Sequence, residues 1–284
     1  MGNDRIDPEW IALKAGLRQA IRITCSPGYE ERIRDTFVRM GAVVRFSEEV
    51  TLVAGRTVRL AYVGLEEGPL GALAELEAPL FDERRHDLSV SEKQGRQREI
   101  GALLGFPPCC VEAFCTLDRA DYPNADERYA FVSSAWRPAP DPLLNENLMR
   151  AHHRLISFFP CAYDCAPAAG LAEKILSEIL QEKGEPAARR LLEPMFRDLI
   201  VASNGEVYWA KVEGGRCLSA ESPWPSLGAG GGGGPRPSPE LFSAATVDEV
   251  SGQIRVPGAD PSAERWLWLP FSERGGVEAA LGRL

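Results

Sequence analysis

The sequence predicts an α+β protein in which a helical, cysteine-bearing module stands between two regions of mixed α/β or strand-rich character. Three observations carry that expectation. Residues 1–85 interleave amphipathic stretches with β-branched runs, residues 86–185 show helical periodicity punctuated by glycine and proline, and residues 186–284 return to β-branched and aromatic runs joined by turn signals.

In the first region, Asp7-Pro8 reads as a helix start, with Asp7 as N-cap and Pro8 in the first turn. Apolar residues at Trp10, Leu13, Leu17 and Ile21 then mark roughly one helical face. Ile21 to Cys25 is a short strand, Ser26-Pro27-Gly28 a turn, and Tyr29 to Met40 an amphipathic helix closed by Gly41. Ala42 to Phe46 and Thr57 to Val63 have strand character. In the module, Ser91 to Leu104 is a helix closed by Gly105, and Pro107-Pro108 opens a short helix that carries Cys109 and Cys110. Ala125 to Ala135 and Leu143 to Phe158 are two further expected helices, the second broken by Pro160. Another runs from about Pro167 to Lys183 and ends at Gly184. In the last region, Leu199 to Ala202, a turn at Asn204-Gly205 and Glu206 to Val212 form a hairpin. The stretch 219–240 contains Gly230 to Gly234, flanked by prolines. It lacks a Walker ending and reads as a linker or long surface loop. Strands are expected near Val250 to Val256 and over Trp266 to Leu269.

A chain of 284 residues with 44% hydrophobic and 26% charged content can bury a sizeable core. The net charge of -9 argues against a duplex-binding surface, so nucleic acid is not an expected partner, and Lys93 to Arg98 reads as a solvated helix face. The opening residues hold no apolar run of a secretory signal, and Ile6 stands where myristoylation requires Ser or Thr. No stretch reaches the ~20 apolar residues of a membrane span. The expected location is cytoplasmic, where thiols stay reduced and clustered cysteines serve metal or redox chemistry. Seven cysteines, an odd number, also fit poorly with a closed disulfide framework.

Cys109 and Cys110 follow Pro108, and Cys161 and Cys165 frame Ala162-Tyr163-Asp164 directly after Pro160. Both pairs stand at helix starts, where unpaired N–H groups and the positive end of the dipole favour thiolates. Four thiolates at one place repel one another unless a cation joins them, and four sulfurs on a tetrahedral centre mean zinc or iron–sulfur. The paired Cys-x-x-Cys knuckles of a zinc ribbon are missing. Adjacent thiolates can reach different irons, so the pattern leans toward an iron–sulfur cluster, with zinc as the alternative, although ferredoxin spacing is absent as well. A metal-free dithiol and inert core packing are the other readings. Cys115, turned away from Cys110, is expected in the core, and Cys25 and Cys217 look incidental. His153, with His152 beside it, could supply a further ligand or carry a proton. Asp164 and Glu112 could assist, but a turn residue and a solvated carboxylate need no such role. No Gly-x-Ser-x-Gly, His-Glu-x-x-His or dinucleotide fingerprint occurs, so no catalytic residue is assigned.

The run Leu103-Leu104-Gly105-Phe106-Pro107-Pro108-Cys109-Cys110-Val111-Glu112-Ala113-Phe114, with Phe159-Pro160-Cys161-Ala162-Tyr163-Asp164-Cys165, resembles a prokaryotic family with a Gly-Phe-Pro-x-Cys-Cys motif, catalogued as domain of unknown function 483. The resemblance covers the middle of the chain and implies no activity. The expectation is thus a cytoplasmic metal-binding protein that uses Cys109, Cys110, Cys161 and Cys165, with an iron–sulfur cluster for redox or sulfur chemistry. The alternatives are a thiol oxidoreductase or redox sensor, and a zinc-stapled structural or binding module. Four closed ligands suit a structural or electron-carrying role, and a spare coordination position would suit an enzyme.

Overall fold

The computed structural model describes residues 7–51, 57–81, 88–116, 140–145, 148, 153–202, 207–221, 245–248, 253–255 and 266–284. The expected helix at 125–135, the turn at Asn204-Gly205, the glycine run of 230–234 and His152 lie outside them. The α+β expectation holds: helices and two separate antiparallel sheets make up the fold. The chain divides into two compact units, one spanning Asp7–Leu117 and the other containing Asp118–Leu284.

The first unit is built on a sheet in which β1 (Ala20–Cys25), β2 (Val43–Phe46) and β3 (Val50–Thr51) all pair antiparallel to β4 (Thr57–Gly64). β4 is central and buried along most of its length, as its β-branched and aromatic sequence allows. Side chains alternate across it. Leu60 and Tyr62 turn to one face, with Ala20, Leu70, Leu73, Ile100 and Leu104. Val63 turns to the other, with Trp10, Leu13, Ile21 and Phe37. Four helices cover these faces: α1 (Pro8–Lys14) and α2 (Glu30–Arg39) on the second, α3 (Glu67–Phe81) and α4 (Val90–Leu103) on the first. Asp7 caps α1 by accepting from the Glu9 and Trp10 amides, as expected. α1 stops at Lys14, so the expected face through Leu17 and Ile21 is divided, with Ile21 in β1. Ser89 and Glu92 form a capping box at the start of α4.

α3 carries one buried acid. Glu77 is 1% exposed and accepts from the Tyr62 hydroxyl at 2.9 Å and from Arg22. These two donors offset the cost of taking a carboxylate out of water.

In the second unit, β5 (Leu199–Ala202), β6 (Val207–Glu213), β7 (Arg216–Glu221), β8 (Thr246–Val247), β9 (Gln253–Arg255) and β10 (Trp266–Leu269) close into an antiparallel barrel. Each strand pairs with the next in sequence, and β10 closes the ring by pairing with both β9 and β5. The expected hairpin over 199–212 is the β5–β6 pair. β7 extends to Glu221, so the start of the expected 219–240 loop is strand. Ile200, Tyr208, Cys217, Ala220, Val247, Ile254 and Trp268 fill the interior.

The helical part of this unit contains α6 (Ala166–Lys183), α7 (Glu185–Leu192) and α8 (Gly276–Leu281), with single 3-10 turns at Pro142–Leu144, Glu193–Phe196 and Phe271–Arg274. The helix expected from Leu143 to Phe158 is not present in the described residues. Asp141 caps a 3-10 turn that ends at Asn145, whose side-chain amide donates to the Met195 carbonyl at 3.1 Å, and 153–158 are irregular. No described helix is long and apolar enough to cross a membrane.

Candidate metal centre

α5 (Pro108–Thr116) is set against α4 by a tight reversal. Gly105 has φ +71, and a Cβ there would stand 3.0 Å from the Leu17 carbonyl oxygen, so the turn requires glycine. The Pro107 carbonyl accepts from the Cys110 and Val111 amides at 2.9 and 3.0 Å, which starts α5 with both cysteines in its first turn. Further contacts hold α5 along α4. Arg98 forks onto Glu112 at 2.7 and 2.9 Å, and the Gln94 side chain donates to the Cys115 carbonyl at 2.9 Å. Gly101 lets Val111 approach its backbone.

Cys165 is the N-cap residue of α6, with Pro167 in the first turn. Its amide donates to the Ala162 carbonyl at 3.0 Å, and its own carbonyl accepts from Ala169 at 2.9 Å. Tyr163 anchors this loop. Its carbonyl accepts from the Asp141 amide at 2.8 Å, and its buried ring packs edge-on against Phe271.

The sulfurs of Cys109, Cys110, Cys161 and Cys165 all lie within 4.8 Å of one another. Those of Cys109 and Cys110 are 4.0 Å apart, and none of the seven cysteines is in a disulfide. Cys110 and Cys165 are buried, Cys161 is half-buried and Cys109 is exposed. Sulfurs held around zinc at about 2.3 Å form a tetrahedron with edges of about 3.8 Å, about 1 Å below the outer limit of the spacing here. Cys109 and Cys110 stand in the first turn of α5 and Cys165 caps α6, positions where a helix's free amides favour a thiolate. Four cysteines so placed could hold a metal.

Other candidates fall outside the set. From the sequence, His153 could supply a further ligand or carry a proton. It lies in the irregular 153–158 stretch, with its amide donating to the Leu148 carbonyl at 3.3 Å, and it is not among the grouped residues. Glu112 is engaged by Arg98, which holds its carboxyl below the usual range. Asp164 is exposed, as its turn position allows. Cys115 is buried against the Gln94 carbonyl, the core role expected of it. Burial pushes the Cys25 and Cys217 thiols up, so both are neutral near pH 7. Sequence reasoning missed the clamp that positions Cys109 and Cys110. Glycine at 101 opposite Val111 is the one trace of it in the chain.

Comparison with family models, with curated proteins and with solved structures finds no match to this chain in any of the three.

Proposed function

We propose that Cys109, Cys110, Cys161 and Cys165 together hold one tetrahedrally coordinated ion, zinc before iron, and that the protein is a metal-stapled structural or binding module. The carrying observation is the sulfur spacing, with every pair within 4.8 Å. A cluster places its own irons and sulfides between the terminal thiolates and so spreads them beyond the edge of a single-ion tetrahedron. The spacing therefore supports the zinc alternative over the cluster toward which adjacent cysteines lean. Zinc bound by four protein ligands has no position left for water, so the centre is structural, and its binding energy adds to folding.

The test is metal and acid-labile sulfide analysis of the full chain purified without oxygen. The expected result is one zinc per chain, no sulfide, and loss of the metal in Cys110→Ser and Cys165→Ser. Iron with stoichiometric sulfide would replace the single ion by a cluster. Metal-free protein that forms a reversible Cys109–Cys110 disulfide would make the site a redox pair, a reading favoured by the exposure of Cys109 and the 4.0 Å separation from its neighbour.

A further inference from the structure

We propose that the outer face of the barrel carries a binding site for a small phosphorylated molecule, independent of the cysteines. A cleft of about 460 Å³ lies there, lined by Arg197, Asp198, Trp209, Lys211, Glu213 and Ser219, among others. The strand register explains which groups meet in it. Tyr208, Ala210 and Val212 of β6 belong to the barrel interior, so Trp209 and Lys211 alternate to the outside. Lys211 stands opposite Ser219 of β7. On its other side, the ladder continues one step beyond β5 through the Ala210 amide, which donates to the Asp198 carbonyl at 2.8 Å. Arg197 is therefore the next residue in the same row as Lys211 and Ser219.

Two cations side by side across paired strands repel one another. Lys211 has an exposed partner in Glu213 at 2.9 Å. Arg197 makes no ion pair among the described residues. Its guanidinium is instead stacked 4.7 Å from the centre of the Trp209 ring, which fixes its donor fork without neutralising it. The nearest carboxylate in the sequence, Asp198, is committed elsewhere, accepting from Trp268 Nε1 at 3.3 Å and from the Ser272 amide at 2.9 Å. Trp209 Nε1 is buried with no acceptor among the described residues, the kind of orphan donor that native structures rarely keep. The row thus offers a fixed fork, an ammonium and a hydroxyl, and of the two carboxylates in the cleft Asp198 is held by Trp268 and Ser272 while Glu213 faces Lys211 alone. A tetrahedral phosphate matches that set, because its oxygens can take the fork in bidentate fashion and still reach the lysine and serine. The net charge of -9 selects for a small ligand, since a long polyanion meets the repulsion of the whole chain.

The experiment is calorimetric titration of the full chain with inorganic phosphate, a sugar phosphate, acetate and an oligothymidylate, with tryptophan fluorescence followed in parallel. Saturable binding of phosphate and sugar phosphate is expected, weakened at least tenfold in R197Q and in K211Q, and falling as salt is raised. Lys211 is well exposed, so K211Q keeps the fold even if R197Q does not. Unchanged affinity in K211Q, or acetate binding as tightly as phosphate, would refute the site. Tighter binding of the oligonucleotide than of the sugar phosphate would overturn the small-ligand assignment.

Discussion

Cys109 is the exposed member of a set whose other sulfurs are wholly or partly covered, so its chemistry is the first to report on the centre. In metal-free native protein, iodoacetamide should label Cys109 fastest and leave Cys25 and Cys217 intact, as peptide mass spectrometry would show. Labelling of Cys217 at a similar rate would contradict its place in the barrel interior. The two buried thiols and the Tyr62 phenol, all raised chiefly by burial, also fix a pH dependence. In the unfolded chain these groups lose protons from about pH 9 to 10, while the folded state keeps them neutral. The unfolded state then binds fewer protons, and stability declines as pH rises through that window. Urea titrations at pH 7 and 10 should give a lower midpoint at the higher pH, with a smaller drop in Cys217→Ala. Tyr62→Phe leaves Glu77 with one donor fewer in a buried site and should cost about 1–3 kcal/mol, read from the same titrations. The cysteine pairs were legible because each follows a proline and the two pairs share the look of helix starts. Glu77 was not, because a carboxylate in an apolar stripe declares itself only once Tyr62 and Arg22 are seen to face it.

Among the elements, α4 and α5 make the most direct claim on the candidate centre, because their contact orients the turn that holds Cys109 and Cys110. A Cβ on Gly101 would meet Val111 Cγ2 at 2.4 Å and Cγ1 at 2.9 Å, whereas one on Gly95 of the same helix meets nothing within 4 Å. Gly101→Ala should therefore destabilise by about 1–3 kcal/mol and weaken metal binding, and Gly95→Ala should stabilise by about 0.4–1 kcal/mol. Thermal melts and metal titrations of the two variants check both signs, and equal effects would show that the close approach is unimportant. The strands of both units could be read from β-branched runs, and most helix starts from their caps. The misses have local causes. α3 was hidden by Gly68, Pro69, Gly71 and Pro79, breakers that tertiary packing of Leu70 and Leu73 overrides. α7 was hidden because Gly184 ends one helix and precedes the next, with φ +77 between them. The stretch after Leu143 looked helical by periodicity, but it opens as a 3-10 turn that leaves helical backbone at Asn145, and 153–158 are irregular.

For the molecule as a whole, the least legible property was closure of the second sheet. β8 has two residues and β9 three, too few for a periodic signal, and the pairing of β10 with β5 joins the last strand of the ring to the first. That closure leaves the barrel no free edge. A chain ending before Trp266 exposes the edges of β5 and β9 together and should self-associate, seen as higher-order species in size-exclusion chromatography with light scattering. A monodisperse monomer would mean that something other than β10 protects them. During synthesis the consequence concerns time. Neighbouring strands in this ring are neighbours along the chain, so hairpins can zip up one after another as they leave the ribosome. The seam, like the β9–β10 pair, must wait until Trp266–Leu269 has been made, and it carries the largest loop-closing entropy of any pairing in the ring. A nearly finished barrel therefore stands open for an interval set by translation, and a chaperone that shields strand edges would find its substrate there.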